Sequence, residues 1–289
     1  MSQHIKFIEH RIPRGDGSVY SREYEGAGPA FVLMHGFPDN LGIWDDLIPY
    51  LVAKGRRVVA FDFQGFGASD KLPGANYSFK QQLGDLEAVV SKLDLGKIIP
   101  VAHDSSGMAT LNYALAHPRD VDSVIMLNSA YNEESTDFWP EMITLFATHS
   151  LQRLAVAVAQ SPEQFAWLLK WQQKKFVDAM PEEQKPHFIA SIGTLITDNF
   201  VVQPGAGPAF VQLAAQFFEE NARNAQQQSA LKALDVPVKL IWGKYDPYIT
   251  VAVAERRKAQ LKNASLTVIP AGHWLQADEP AQVAQAMLA

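Results

Sequence analysis

Ile98-Ile99-Pro100-Val101-Ala102-His103-Asp104-Ser105-Ser106-Gly107 is the stretch whose reading decides the fold. Its first residues read as a buried strand, Asp104-Ser105 as a sharp turn, and Met108 to Ala116 as a helix. A strand that turns at once into a helix lifts one side chain above the edge of a sheet, the geometry of a nucleophile elbow. The lifted residue takes a strained backbone conformation, so the positions two before, two after and three after it must be small. With Asp104 at the tip those positions hold Ala102, Ser106 and Gly107. With Ser105 there, two of them would be the bulky His103 and Met108. The raised group is therefore a carboxylate. A carboxylate attacks carbon at an alkyl electrophile, whereas a serine hydroxyl attacks an acyl group.

On either side of the elbow, strand and helix signals alternate. Ile5 to Ile12 and Val19 to Glu25 flank Gly15-Asp16-Gly17 as a hairpin. Phe31 to Met34, Arg57 to Phe61 and Val124 to Leu127 are short buried strands, and Phe79 to Leu93 is an amphipathic helix before the elbow. This rhythm predicts a mostly parallel sheet with helices on both faces. From about Tyr131 to Leu234 strand signals vanish, and helices are expected near Glu141–Ala159, Pro162–Met180 and Ala209–Asn224. Val236 to Trp242 and Ser265 to Ile269 then restore the strand pattern. The simplest division is a core of residues 1–130 and 235–289 with a helical lid, 131–234, inserted after the sixth core strand.

Apolar residues make up 47% of the chain and charged residues 19%, enough for a full core. The net charge of −6 argues against nucleic acid or an anionic membrane as partner. The absence of cysteine excludes disulfides and thiolate chemistry. Met1-Ser2-Gln3-His4-Ile5-Lys6 has no apolar h-region, so a cytoplasmic protein is expected, as a monomer or homodimer.

A carboxylate nucleophile leaves an ester that activated water must cleave, which calls for a histidine base held by a second acid. His273, in Ala271-Gly272-His273-Trp274, lies just past the last strand signal, where parallel sheets place their ligands. Asp246, in Gly243-Lys244-Tyr245-Asp246-Pro247, follows the preceding strand, while the other position for an acid, after Leu127, holds Asn128. The order Asp104, Asp246, His273 matches nucleophile, acid, base. Backbone N–H groups of Ser105 and Phe37 are expected to form the oxyanion hole. His35 and His103 read as braces for the loops that carry them.

These motifs resemble the haloalkane dehalogenase and epoxide hydrolase branch of the α/β-hydrolase superfamily. The resemblance rests on His35-Gly36-Phe37-Pro38, on Asp62-Phe63-Gln64-Gly65-Phe66-Gly67-Ala68-Ser69-Asp70-Lys71, on Ala102-His103-Asp104 with Ser106-Gly107, on Trp242-Gly243-Lys244-Tyr245-Asp246, and on Gly272-His273. It spans nearly all the core but not the lid. It implies hydrolysis of an alkyl halide or epoxide without metal or cofactor, the partners being a small apolar substrate and water. The chain departs from the family's patterns at the leaving group. Haloalkane dehalogenases usually carry Trp after the nucleophile and fluoroacetate dehalogenases Arg beside it; here Ser105 follows Asp104. Epoxide hydrolases use a pair of lid tyrosines, and Tyr131 is the only tyrosine of this lid. His35, Tyr131, Trp139, His149, Trp167 and Trp274 are the candidate pocket residues. A carboxylester hydrolase using Ser105 and a non-catalytic binding protein are the alternative readings.

Overall fold

The computed structural model describes residues 5–132 and 137–289; Met1 to His4 of the opening segment and Glu133 to Thr136 of the expected lid lie outside the described residues. Eight strands form one sheet: β1 (Ile8–Arg14), β2 (Gly17–Tyr24), β3 (Ala27–Met34), β4 (Arg56–Asp62), β5 (Ile98–Asp104), β6 (Val124–Ser129), β7 (Val238–Gly243) and β8 (Ala264–Ile269). Their order is β1-β2-β4-β3-β5-β6-β7-β8. The pairings β1–β2 and β2–β4 are antiparallel and the rest parallel. Helices on both faces bury the middle strands, and Val32, Leu33, Val59, Ala60 and Val101 have no exposed surface. That double burial is why these strands read as continuous apolar runs and not as alternation.

β3 sends the chain to β4 on one side of the sheet and later to β5 on the other. Loops leaving the carboxyl ends of strands at such a reversal diverge and leave a crevice. The turn after β3 holds Gly36 and Phe37, and β5 ends on Asp104, so both expected parts of the site open into this crevice.

Between β6 and β7 the described residues form seven α-helices and no strand. The expected helix near Glu141–Ala159 is two: Glu141–Ala147 and Gln152–Gln160, separated by a sharp bend at Thr148, whose backbone is extended. Lys185–Ala190, Ile192–Val201 and Gln228–Ala233 are further helices that the apolar spacing does not announce. They are short, and helices of that length draw their stability from tertiary packing. No single helix among the described residues is long and apolar enough to cross a membrane.

Candidate active site

Asp104 stands at the end of β5 with φ of +55°, a left-handed conformation costly for any residue but glycine. Its neighbours explain how the turn holds. A Cβ on Gly107 would run into the carbonyl of Ala130, so only glycine lets the following helix sit this close. Ser106 Oγ accepts the His103 N–H at 2.9 Å and reaches the carbonyls of His103 and Met34 at 2.7 and 3.0 Å, pinning the turn to two strands. A Cβ on Gly36 would collide with the Asp104 side chain, so the loop after β3 also needs a bare backbone here. The Ser105 N–H donates to Asp104 Oδ1, and Phe37 forms part of the wall beside it.

Three expected residues form a line. His273 Nδ1 lies 2.6 Å from Asp246 Oδ2, and His273 Nε2 faces Asp104 Oδ2 at 3.6 Å, an ion-pair separation longer than a hydrogen bond. Asp246 is buried, and its Oδ1 accepts the N–H groups of Tyr248 and Ile249 at 2.9 and 3.0 Å. Asn128, near the end of β6 where an acid could have stood, donates to Asp246 Oδ2 at 2.6 Å and accepts the Gly243 N–H at 2.6 Å. Its own φ of +36° shows the same strain as the elbow. Asn128 thus buttresses an acid carried by the next strand.

Burial alone would push the His273 imidazole towards the neutral form. The charge of Asp246, reinforced by Asp104, outweighs it and raises the pKa to about 10. For Asp246 burial acts upwards, but His273 and the hydrogen bonds from Asn128 and Tyr248 hold the carboxyl below its usual range. The carboxylate of Asp246 thus favours the protonated imidazole.

Behind this line lies a second buried group. His103 Nε2 lies 3.0 Å from the His273 carbonyl oxygen, and its Nδ1 faces Asp39 Oδ2 at 3.6 Å. The same Asp39 oxygen accepts the Trp274 indole N–H at 3.1 Å. Asp39 escaped the sequence reading, although an acid directly after His35-Gly36-Phe37-Pro38 was a visible signal. His35 is buried: Nδ1 bonds the Gly36 carbonyl, so Nε2 is the acceptor for the Phe63 N–H at 3.1 Å. Both ring nitrogens are committed to shaping the loop.

Asp104 and His273 line both of two adjoining cavity lobes. Phe37, Pro140, Ile143 and Phe176 line both. Trp274 lines the larger lobe and Trp139 the smaller. The remaining expected pocket residues lie elsewhere. His35 is consumed in its loop. Tyr131 is buried beneath Arg257 and gives its hydroxyl to Asn112 at 2.8 Å. His149 is exposed at a helix bend. Trp167 is 64% exposed and stacks on Trp171. Among the apolar side chains between β6 and β7, Phe210 and Phe217 reach the cavity, whereas Leu154 faces solvent. Gln172 and Tyr248 line it and were not anticipated. Gln172 was findable as the polar member of the stripe Leu169–Gln172–Phe176 on one helix face. Ser105 Oγ is buried and has no hydrogen-bond partner among the described residues. No group of three or more described His, Asp or Glu side chains is placed to hold a metal ion.

Comparisons with known proteins bear on the family and the fold. Epoxide hydrolase 1 of Caenorhabditis elegans is 26% identical over 268 residues, covering 88% of this chain, which spans 63% of that relative's length. Among solved structures, epoxide hydrolase CorEH superposes with a TM-score of 0.76 at 19% identity, covering 98% of both chains. A thermophilic esterase from Thermogutta terrifontis superposes with a TM-score of 0.74 at 20% identity, covering 98% of this chain and 97% of its own. The two structural likenesses share the fold and differ in named chemistry, so they speak for fold alone. The family described as alpha/beta hydrolase fold matches residues 29–280, and the chain, a hydrolase, belongs to it.

Proposed function

We propose that the protein opens a neutral, apolar alkyl electrophile, an epoxide or alkyl halide, through a covalent ester on Asp104. The observation that carries this reading is a carboxylate at the elbow tip, opposite an Asp246–His273 pair, on the wall of two adjoining apolar lobes. The helices between β6 and β7, with the core of residues 1–130 and 235–289 beneath them, act as the lid of 131–234 that encloses the substrate.

Asp104 Oδ attacks the electrophilic carbon and the carbon–halogen or carbon–oxygen bond breaks. Esterification removes the Asp104 charge, and with it part of what holds the His273 proton. The released proton passes to solvent, a halide leaves as the anion, and the oxygen of an opened epoxide takes its proton from solvent. Neutral His273 then takes a proton from water as that water attacks the Asp104 carbonyl carbon, while Asp246 stabilises the new imidazolium. The N–H groups of Ser105 and Phe37 face the oxyanion of the tetrahedral intermediate. Collapse releases an alcohol or diol and restores Asp104. The chemistry needs water and this chain's own groups.

The buried Ser105 hydroxyl, without a base beside it, speaks against an acyl-enzyme on serine. The test is the intact mass of His273→Gln after exposure to panels of epoxides and alkyl halides. The ester accumulates without its base. A gain of one whole epoxide means epoxide opening, and a gain of the halide less HX means dehalogenation. An absence of adduct across both panels contradicts the reading.

A further inference from the structure

The cavity roof contains one amide whose hydrogen-bonding capacity is withheld from the lobes. Gln172, buried in the middle of Pro162–Ala179, lines the larger lobe. Its Nε2 donates to Tyr248 Oη at 2.7 Å and to Glu141 Oε2 at 3.2 Å, and its Oε1 accepts the Met142 N–H at 2.9 Å. Tyr248, which lines the smaller lobe, donates its hydroxyl to the same Glu141 oxygen at 2.6 Å. Burial first, and the neighbouring Glu141 second, raise the Tyr248 pKa, so the phenol keeps its proton and stays a donor. Glu141, Gln172 and Tyr248 come from two helices of the β6–β7 insertion and from the core loop that carries Asp246. Each saturates the others. Gln173, the other amide on the wall, gives its Nε2 to the Gly193 carbonyl.

We infer that Tyr248 and Glu141 are specificity-determining residues: by sequestering the Gln172 amide they make the cavity select substrates with no polar group beyond the electrophilic one. This rests on the alkyl-electrophile reading of the same site. A polar group of the substrate entering beside Gln172 and Tyr248 loses its water and finds their donors already taken, a cost that an unpaired buried group carries. Removing the Tyr248 hydroxyl releases one Gln172 N–H into the roof, where it can serve such a group.

The test compares two substrates of equal chain length, one of them bearing a hydroxyl at the end far from the electrophile. The readout is the ratio of kcat/KM, hydroxylated over plain. In Tyr248→Phe this ratio rises about tenfold. In Gln172→Met it does not rise, and in Tyr248→Phe/Gln172→Met the gain disappears. A packing role alone would slow both substrates alike and leave the ratio unchanged. Glu141→Leu, which removes the shared acceptor, should raise the ratio in the same direction should Tyr248→Phe not fold. The same ratio is read without turnover as Kd for the alkanol and the terminal alkanediol of that length. Failure of His273→Gln to form any adduct overturns the reaction, whereas the Kd ratio still decides this inference. An unchanged ratio in folded Tyr248→Phe, or a rise that survives in the double variant, overturns it.

Discussion

The carboxyl end of the sheet and the helices between β6 and β7 meet at one cavity but obey different rules. At the sheet, a residue's role follows from covalent geometry. A left-handed Asp104 demands small neighbours, and Gly36 and Gly107 leave no room for a methyl group. In the helices aromatic residues serve opposite ends. Phe210 is buried against Phe37, Phe146 and Phe200, while Trp167 is 64% exposed. Stereochemical demands are local and leave a trace in sequence; packing demands are distributed and do not.

That contrast can be broken at either end. Asp104→Ala is expected to lower turnover by at least about 10⁴-fold while thermal melting stays within a few degrees of wild type. Retained activity in this variant would remove the carboxylate from the chemistry. Phe210→Ala, on the helical side, should cost about 3–5 kcal/mol in denaturant unfolding, because Phe37, Phe146, Phe165 and Phe200 all lose a ring partner. Gly36→Ala forces the loop away from Asp104 and is expected to lower kcat/KM by about 10²-fold with little loss of stability. If the loss appears instead as unfolding, Gly36 serves the fold and not the site.

A further effect depends on pH. His273 has its folded pKa raised to about 10, above its ordinary value of 6.5. Its contribution to stability is therefore complete below about pH 6.5 and lost as pH rises through about 10, at up to about 1.4 kcal/mol per pH unit. Unfolding midpoints of wild type should fall across this window more steeply than those of His273→Gln. Parallel slopes would mean that His273 is not held charged by its carboxylates. Trp167→Ala closes the series, with stability within about 0.5 kcal/mol of wild type and unchanged turnover.

The same division sets what the sequence made legible. Small residues around Asp104, and an acid and a histidine past successive strands, were enough to bring Asp104, Asp246 and His273 to one line. Asn128 could be dismissed as an acid from its amide, yet its work as a hydrogen-bonding prop depends on its reach across to β7. Tyr131 was conspicuous as the one tyrosine of the expected lid, but its hydroxyl is taken by Asn112. Tyr248, hidden in the loop after β7, is the tyrosine on the cavity wall. Nothing in residue spacing separates these two, because the direction of a side chain at the core boundary is fixed by partners far along the chain. The break at Thr148 eluded periodicity for a related reason, since the apolar pattern runs on through it.

On the proposed ester route the oxygen added to the product comes from Asp104 and not directly from water. A single turnover of wild-type enzyme in heavy-oxygen water, with enzyme in excess over an epoxide or halide that labels His273→Gln, separates the two routes. The ester route predicts an unlabelled first product and heavy oxygen in the peptide containing Asp104. Label in the first product, with an unlabelled Asp104 peptide, would contradict it.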